Sequence, residues 1–206
     1  VTVKPIVLVG AGGHARACID VIEQTEGFEI IGLVGMPDEL GTSVLGYPVL
    51  GTDQNLPELH QKSPNALITL GQIKTPEHRI RLFELLVQKG FRLPTIVSPR
   101  GYVSRHARVG EGTIVMHGAV VNAGARIGRN CILNTYSLVE HDVVIGDHCH
   151  VSTATVINGG VQVESGTFIG SNSSVRELIR VGQNCLIGMA QGVLSNVEDG
   201  SRVLNK

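Results

Sequence analysis

The sequence predicts an α/β domain followed by a three-sided parallel coil of short strands. Two observations carry this. From Val97 to Val193 every sixth residue is Val, Ile or Leu, at all 17 positions and without an insertion. Only about three residues in ten of the whole chain are Val, Ile or Leu, so the run is not chance. Before Val97, apolar strand-like stretches alternate with helical ones, and Gly10-Ala11-Gly12-Gly13 joins the first pair.

The chain opens on Ile6 to Val9, a strand of the buried type. The glycine-rich turn and a helical pattern through Ile22 follow. Strand, glycine turn and helix form a phosphate-binding arrangement, because backbone N–H groups at a helix N-terminus are free to meet an anion. Gly10, Gly12 and Ala15 fit G-x-G-x-x-A. A dinucleotide reader also wants an acid ending the second strand. Phe28 to Val34 is that strand, Gly35 and Met36 follow it, and Asp38 and Glu39 come late, which argues against NAD. Val49-Leu50 reads as a short strand, Leu56 to Lys62 as a helix, and Ala66 to Leu70 as a strand ending at Gly71. Pro76 to Lys89 reads as a helix with its apolar face at Ile80, Phe83 and Val87, closed by Gly90.

From Val97 the period of six fits neither a helix, at 3.6, nor a lone strand, at two. It fits a coil with three sides, one strand per side and eighteen residues per turn, stacked on its neighbours. Four residues after each aliphatic the side chain is usually small, as at Ala119, Ala125, Cys131, Ser137, Cys149, Thr155, Thr167, Ser173 and Cys185. A second inward position beside a tight corner wants that. Gly and Asn suit corners that need positive φ. Cys131, Cys149 and Cys185 fall in one column, so they read as core thiols, and no short-spaced pair suggests a zinc site.

Composition narrows the function. Net charge is −1, which argues against a nucleic-acid footprint. No apolar run approaches the ~20 residues of a membrane helix. The opening VTVKPIVLVG lacks a signal-peptide pattern, so a cytoplasmic location is expected, and the initial Val suggests processing.

VGAGGHA (9–15), LGYPVLG (45–51), LITLG (67–71) and above all ILNTYSLVEHDVVIGDHCHVS (132–152), together with the hexapeptide coil, make the chain resemble the bacterial nucleotide-sugar acetyltransferases. That family N-acetylates UDP-linked 4-amino-4,6-dideoxy sugars for surface glycans and includes relatives of the sialic acid O-acetyltransferase type. The resemblance implies a Rossmann-like nucleotide-sugar-binding domain over 1–95 and a left-handed parallel β-helix acetyltransferase domain over 96–206. It implies acetyl-CoA as co-substrate, no metal, and a homotrimer with sites between subunits. His141 matches the general base and Asp142 the acid that raises its basicity. Asn134 matches an amide that contacts the sugar. His150 matches a residue near the acetyl-CoA thioester, Gly159 an N–H donor to its carbonyl, and Ser171 and Met189 further acetyl-CoA contacts. Gly12, Gly13, His14 and Gly71 match the nucleotide-sugar site.

His141 and His150 are nine residues apart, half a coil, so they face different sides of one prism and share a site only across subunits. His60, His78, His106, His117 and His148 read as structural or surface residues, and Glu140 as a solvated corner. The chain departs from the family at Val34-Gly35, where paired acids are usual, and at the tail after Asp199, which lacks a G-x-P-A-[KR]-like ending. O-acetylation of a sialic acid is the sister reading. A zinc hydratase built on His117, His141, His148 and His150 across subunits is a remote one. A non-catalytic ice-binding coil would need a flat column of Thr or Ser on one face, which is missing.

Overall fold

The computed structural model describes residues 3–204. Val1, Thr2, Asn205 and Lys206, at the outer ends of the two expected domains, lie outside the described residues.

Strand β1 (Lys4–Val9) is apolar on both faces and runs into the glycine turn, from which α1 (Gly13–Glu23) starts. β2 (Phe28–Val34) pairs parallel with β1. β3 (Ser43–Val44) and β4 (Tyr47–Gly51) form a hairpin turned by Leu45 and Gly46, both at positive φ. The sequence reading found only the second of these strands, because Leu is a poor signal for such a turn. α2 (Leu56–Lys62), β5 (Asn65–Ile68) and α3 (Glu77–Gln88) complete the layer, with strand order β3-β4-β2-β1-β5. β1 therefore sits between β2 and β5, parallel to both, and the ligand crevice of such a sheet lies at the carboxyl end of the strand where the order reverses.

The apolar face of α3 differs from the expectation. Arg79, Leu82, Phe83 and Leu86 are buried, whereas Val87 is half exposed. These four follow i, i+3, i+4, i+7, with an arginine at the first place. A polar residue in the stripe shifted the predicted face by about one position.

Ile96–Val97 is the first strand of the coil, and two-residue strands recur every six residues through Gly192–Val193. They stack into three parallel sheets of seven, six and five strands, forming a left-handed β-helix. Each strand pairs with the one eighteen residues on, as in Val121↔Val139 and Ile127↔Ile145. The aliphatic ladder from Val115 to Val193 is buried. The period then shortens: Val197 bridges to Val181, and Arg202–Val203 adds to the first face.

The small column has a second use. At the corner leading to the first face, Thr113, Cys131, Cys149, Thr167 and Cys185 stack. Thr113 Oγ1 donates to Gly128 O at 2.8 Å, Cys131 Sγ to Gly146 O at 3.2 Å, Cys149 Sγ to Glu164 O at 3.1 Å and Thr167 Oγ1 to Gly182 O at 2.7 Å. Small donors thus satisfy corner carbonyls that the sheets leave unpaired.

The first face also carries the α/β layer. Its outward residues Ile96, Ile114 and Ile132 join one apolar cluster with Ile6, Leu8, Ile19 and Ile22. On the other flank Phe83 meets the His148 ring edge-on at 5.5 Å, with the Arg129 guanidinium 5.7 Å from the Phe83 centroid.

Candidate functional site

His141 and Asp142 occupy the corner between the second and third faces. Asp142 is the left-handed residue of that corner, at φ 60°. Its carboxylate lies where a side chain on Gly124, one coil earlier, would collide with it. His141 Nδ1 is 3.0 Å from Asp142 Oδ2, and both side chains are largely exposed. The carboxylate accepts, so Nδ1 carries the proton and Nε2 presents a lone pair. Beneath the ring lies Gly159, where a Cβ would sit 2.7 Å from His141 Nε2. A depression of about 440 Å³ opens here, bounded also by Glu140, Asn158 and Leu178. Glu140 is half buried and accepts from Asn122 Nδ2 at 3.0 Å, so it is more than a solvated corner.

A second group gathers where the α/β layer meets the first face. His150 points outward from its strand and is 6% exposed. Its Nδ1 lies 2.6 Å from Gln72 O, which only accepts, so Nδ1 is protonated. Nε2 is then an acceptor, and Asn134 Nδ2 donates to it at 3.2 Å. Asn134 Oδ1 takes the Thr135 N–H at 2.8 Å, which fixes the amide. The His14 ring centroid is 6.5 Å from that of His150, and its Cβ lies close over Gly71. Burial, then the nearby Arg79 cation and His150, pushes His14 down to about 3. Burial likewise holds His150 at about 4, against the raising effect of the Gln72 carbonyl. Both are neutral at physiological pH. Ser171 Oγ pairs with Ser152 Oγ at 2.9 Å at the corner between the first and second faces, and Met189 projects from the same edge two coils beyond Ser152.

A third feature is the crevice at the ends of β1, β2 and β5, about 330 Å³ and bounded by Gly10, Gly12, Gly35, Glu39, Leu70 and Arg81 among others. Gly10, at φ 119°, lets β1 pass within contact of Leu70 N. Gly12 and Gly13 face open space, and no side chain caps α1 nor does an acid stand in its first turn. The N-terminus of α1 therefore starts beside the crevice with no side-chain cap on its N–H groups. A Cβ at Gly35 would meet Glu39 Oε2, which accepts the Met36 N–H at 2.7 Å. Glu39, set aside from the sequence as too late, thus reaches back to the crevice.

The fold brings Asn134, His150, His14 and Gly71 together, and separately His141, Asp142 and Gly159. The two groups occupy different corners of one prism. Of the remaining histidines, His117 bonds Ser98 and Asp20, His148 bonds Asn130, His60 bonds Gly90 O and His106 accepts from Arg105 Nε, while His78 borders the crevice. Sequence reasoning missed Gln72, Arg79 and Asn130. Arg79 was visible only as a charged residue at a helix's buried spacing.

Stacked hexapeptide coils, a His–carboxylate pair at a corner and a docked α/β crevice define an acyltransferase of the hexapeptide-repeat class. Family models agree: one for the PglD N-terminal domain matches residues 5–84, and one for the bacterial transferase hexapeptide (six repeats) matches 106–141. No curated protein gives a significant match. Among solved structures, PerB from Caulobacter crescentus, in complex with CoA and GDP-perosamine, is 30% identical, with a TM-score of 0.88 over 96% of this chain and 92% of that one. A histidine-to-asparagine mutant of perosamine N-acetyltransferase from the same organism, with the same ligands, is 28% identical, with a TM-score of 0.90 over 98% and 93%. The acetyltransferase domain of PglB from Neisseria gonorrhoeae, in complex with acetyl coenzyme A, is 26% identical, with a TM-score of 0.88 over 97% and 95%. The chain belongs to the bacterial nucleotide-sugar acetyltransferase family.

Proposed function

We propose that the protein transfers the acetyl group of acetyl-CoA to the amino group of a nucleotide-linked 4-amino-4,6-dideoxy sugar, with His141 as the general base. The observation that carries the reading is the His141 lone pair at Nε2, oriented by Asp142 and facing an open depression. The amine nitrogen attacks the thioester carbonyl carbon, its proton passes to Nε2, the C–S bond breaks, and CoA leaves as the thiolate. Asp142 stabilises the imidazolium that forms. Asn134, beside His150, is the side-chain amide nearest the imidazole and is assigned to the sugar in this reading. Cys149 is buried and burial raises its thiol well above the ordinary value, so it is a poor nucleophile.

In this reading Gly12, Gly13, His14 and Gly71 of the α/β domain (1–95) hold the nucleotide sugar. His150, Gly159, Ser171 and Met189 of the β-helix domain (96–206) line the acetyl-CoA side. The uncapped start of α1 beside the crevice and the Caulobacter relative's complex with GDP-perosamine support this division, and the latter makes GDP as well as UDP a candidate carrier. A homotrimer would bring His141 of one subunit to the His150 edge of its neighbour. The apolar outward column of the second face, Tyr102, Val120, Leu138 and Val156, supports such packing. No helix among the described residues is long and apolar enough to cross a membrane, which suits a reaction on soluble nucleotide sugars in the cytoplasm.

Thiol release from acetyl-CoA, measured against UDP- and GDP-linked 4-amino sugars and free sialic acids, tests the reading. His141→Ala should lower kcat by about 10²–10⁴-fold with little change in acetyl-CoA affinity, and high pH should restore part of it as free amine accumulates. Asp142→Ala should lower kcat by less than His141→Ala does, because the imidazole loses the carboxylate that orients it. Near-normal kcat in His141→Ala, or a trapped acetyl-enzyme, would overturn the mechanism.

A further inference from the structure

Among the described residues Arg79 is the largest fully buried side chain and pairs with no carboxylate. A buried cation without an anion is rare, because desolvation is uncompensated by charge. Its hydrogen bonds say what it does. One guanidinium nitrogen, Nη1, donates to Leu70 O at 2.5 Å and to Ile68 O at 3.3 Å. The other, Nη2, donates to Asn130 Oδ1 at 2.6 Å and Asn130 O at 3.1 Å. The fork therefore ties the end of β5 to a corner of the coil. Two residues beyond Leu70, Gln72 Nε2 donates to His148 O at 3.0 Å, and Gln72 O accepts from His150 Nδ1 at 2.6 Å. Arg79 Nε and Gln72 Oε1 are buried without a hydrogen-bond partner. A sequence under selection for stability alone has cheaper ways to fill this seam.

We propose that Arg79 and Gln72 are positioning residues for His150: the guanidinium and the Gln72 amide clamp the loop from Leu70 to Gln72, and the clamped Gln72 carbonyl fixes the imidazole as its Nδ1–H tautomer. The consequence is chemical. With the Nδ1 proton committed inward, His150 offers only an acceptor at Nε2, and that acceptor orients the Asn134 amide. The α/β layer thereby sets the donor pattern of a surface that belongs to the coil. This rests on the reading that His150 lies beside the acetyl thioester.

The test uses the full-length protein with ¹⁵N-labelled imidazoles, the His150 signals being assigned by their loss in His150→Asn. Wild-type His150 should be neutral, protonated at Nδ1, and without titration between pH 5 and 8. Its ring neighbours are His14, Phe168, Asn134 and the Gln72 carbonyl, with Arg79 the nearest cation. Gln72→Ala keeps the backbone carbonyl but releases the loop. His150 should then populate both tautomers, its titration should move up toward ordinary histidine as water enters, and kcat/KM for acetyl-CoA should fall about 10–100-fold. Arg79→Met should act in the same direction and further. An Nε2–H tautomer in the wild type overturns the proposal, whatever the variants do. So does a folded Gln72→Ala protein whose His150 keeps its wild-type tautomer and titration. If His150→Ala has wild-type acetyl-CoA kinetics, the assignment of His150 to the thioester fails instead, and the tautomer measurements still decide the clamp.

Discussion

His141 and Gly159 form a pair that sequence analysis could name but not connect. The chain shows a His in an E-H-D segment and a Gly eighteen residues later. Only the stacked coils show that the first lies on the space left by the second. Gly159 is not at positive φ, so alanine is compatible with its backbone, and among its close neighbours the conflict is with the exposed His141 imidazole. Gly159→Ala should therefore leave Tm within a few degrees of wild type and, if His141 is the general base, lower kcat about 10²-fold, because the imidazole is displaced by about 1 Å. A loss of Tm with unchanged kcat per folded molecule would contradict this. The buried histidines were legible only through resemblance, since burial of a His by an approaching loop leaves no local mark. They carry a pH dependence with a definite sign. His150 has a folded value near 4, below the ~6.5 of an unfolded chain, so the unfolded state binds more protons between those limits. The stability from its neutral burial is fully present above pH ~6.5 and is lost as pH falls toward 4, at up to about 1.4 kcal/mol per pH unit. His14, near 3, acts in the same direction. Urea midpoints measured from pH 7 to pH 4.5 should fall less steeply in His150→Asn than in wild type.

At the scale of elements, the coil was almost fully legible because one residue in six reports its register. The period gave every strand from Val97 to Val193. What it could not give was the shortened step to Val197, where no aliphatic at the sixth place signals the change. The α/β layer was read less completely for two physical reasons. The β3–β4 hairpin turns on a leucine, and α3 buries an arginine, so both lack the residue types that usually mark such positions. The corner column of threonines and thiols was legible as small, but its hydrogen bonds to the next coil's carbonyls were not. Ile145 is 2% exposed with fixed neighbours above and below, so Ile145→Ala should cost about 2–5 kcal/mol by chemical denaturation, the coil being unable to collapse onto the void. A cost below about 1 kcal/mol would mean that the stack relaxes more freely than its hydrogen-bonded ladders suggest.

For the whole molecule, the two groups of site residues face different corners of one prism, which was legible from the nine-residue spacing of His141 and His150. A site made between subunits predicts complementation. Mixing His141→Ala and His150→Ala chains, each inactive alone, should restore part of the wild-type rate, since some interfaces then pair two intact halves. A fully active, stable monomer by light scattering would rule the arrangement out.

The unbroken stacking also fixes how this protein can change in length. From Val97 to Val193 every strand finds its partner eighteen residues away, so this part of the coil can grow or shrink by whole turns and keep each column of side chains on its own face. Loss of residues 175–192 would join Ser174 to Val193 and preserve the inward ladder, the corners and all three faces above and below the cut. Loss of a single residue between Val97 and Val193 would turn every later aliphatic off its column, or force a corner to absorb the deficit. The length of this coil is therefore quantised in turns of eighteen residues, and an insertion should be tolerated only where it loops out at a corner. A reading frame through such a domain tolerates large, periodic rearrangements better than small ones.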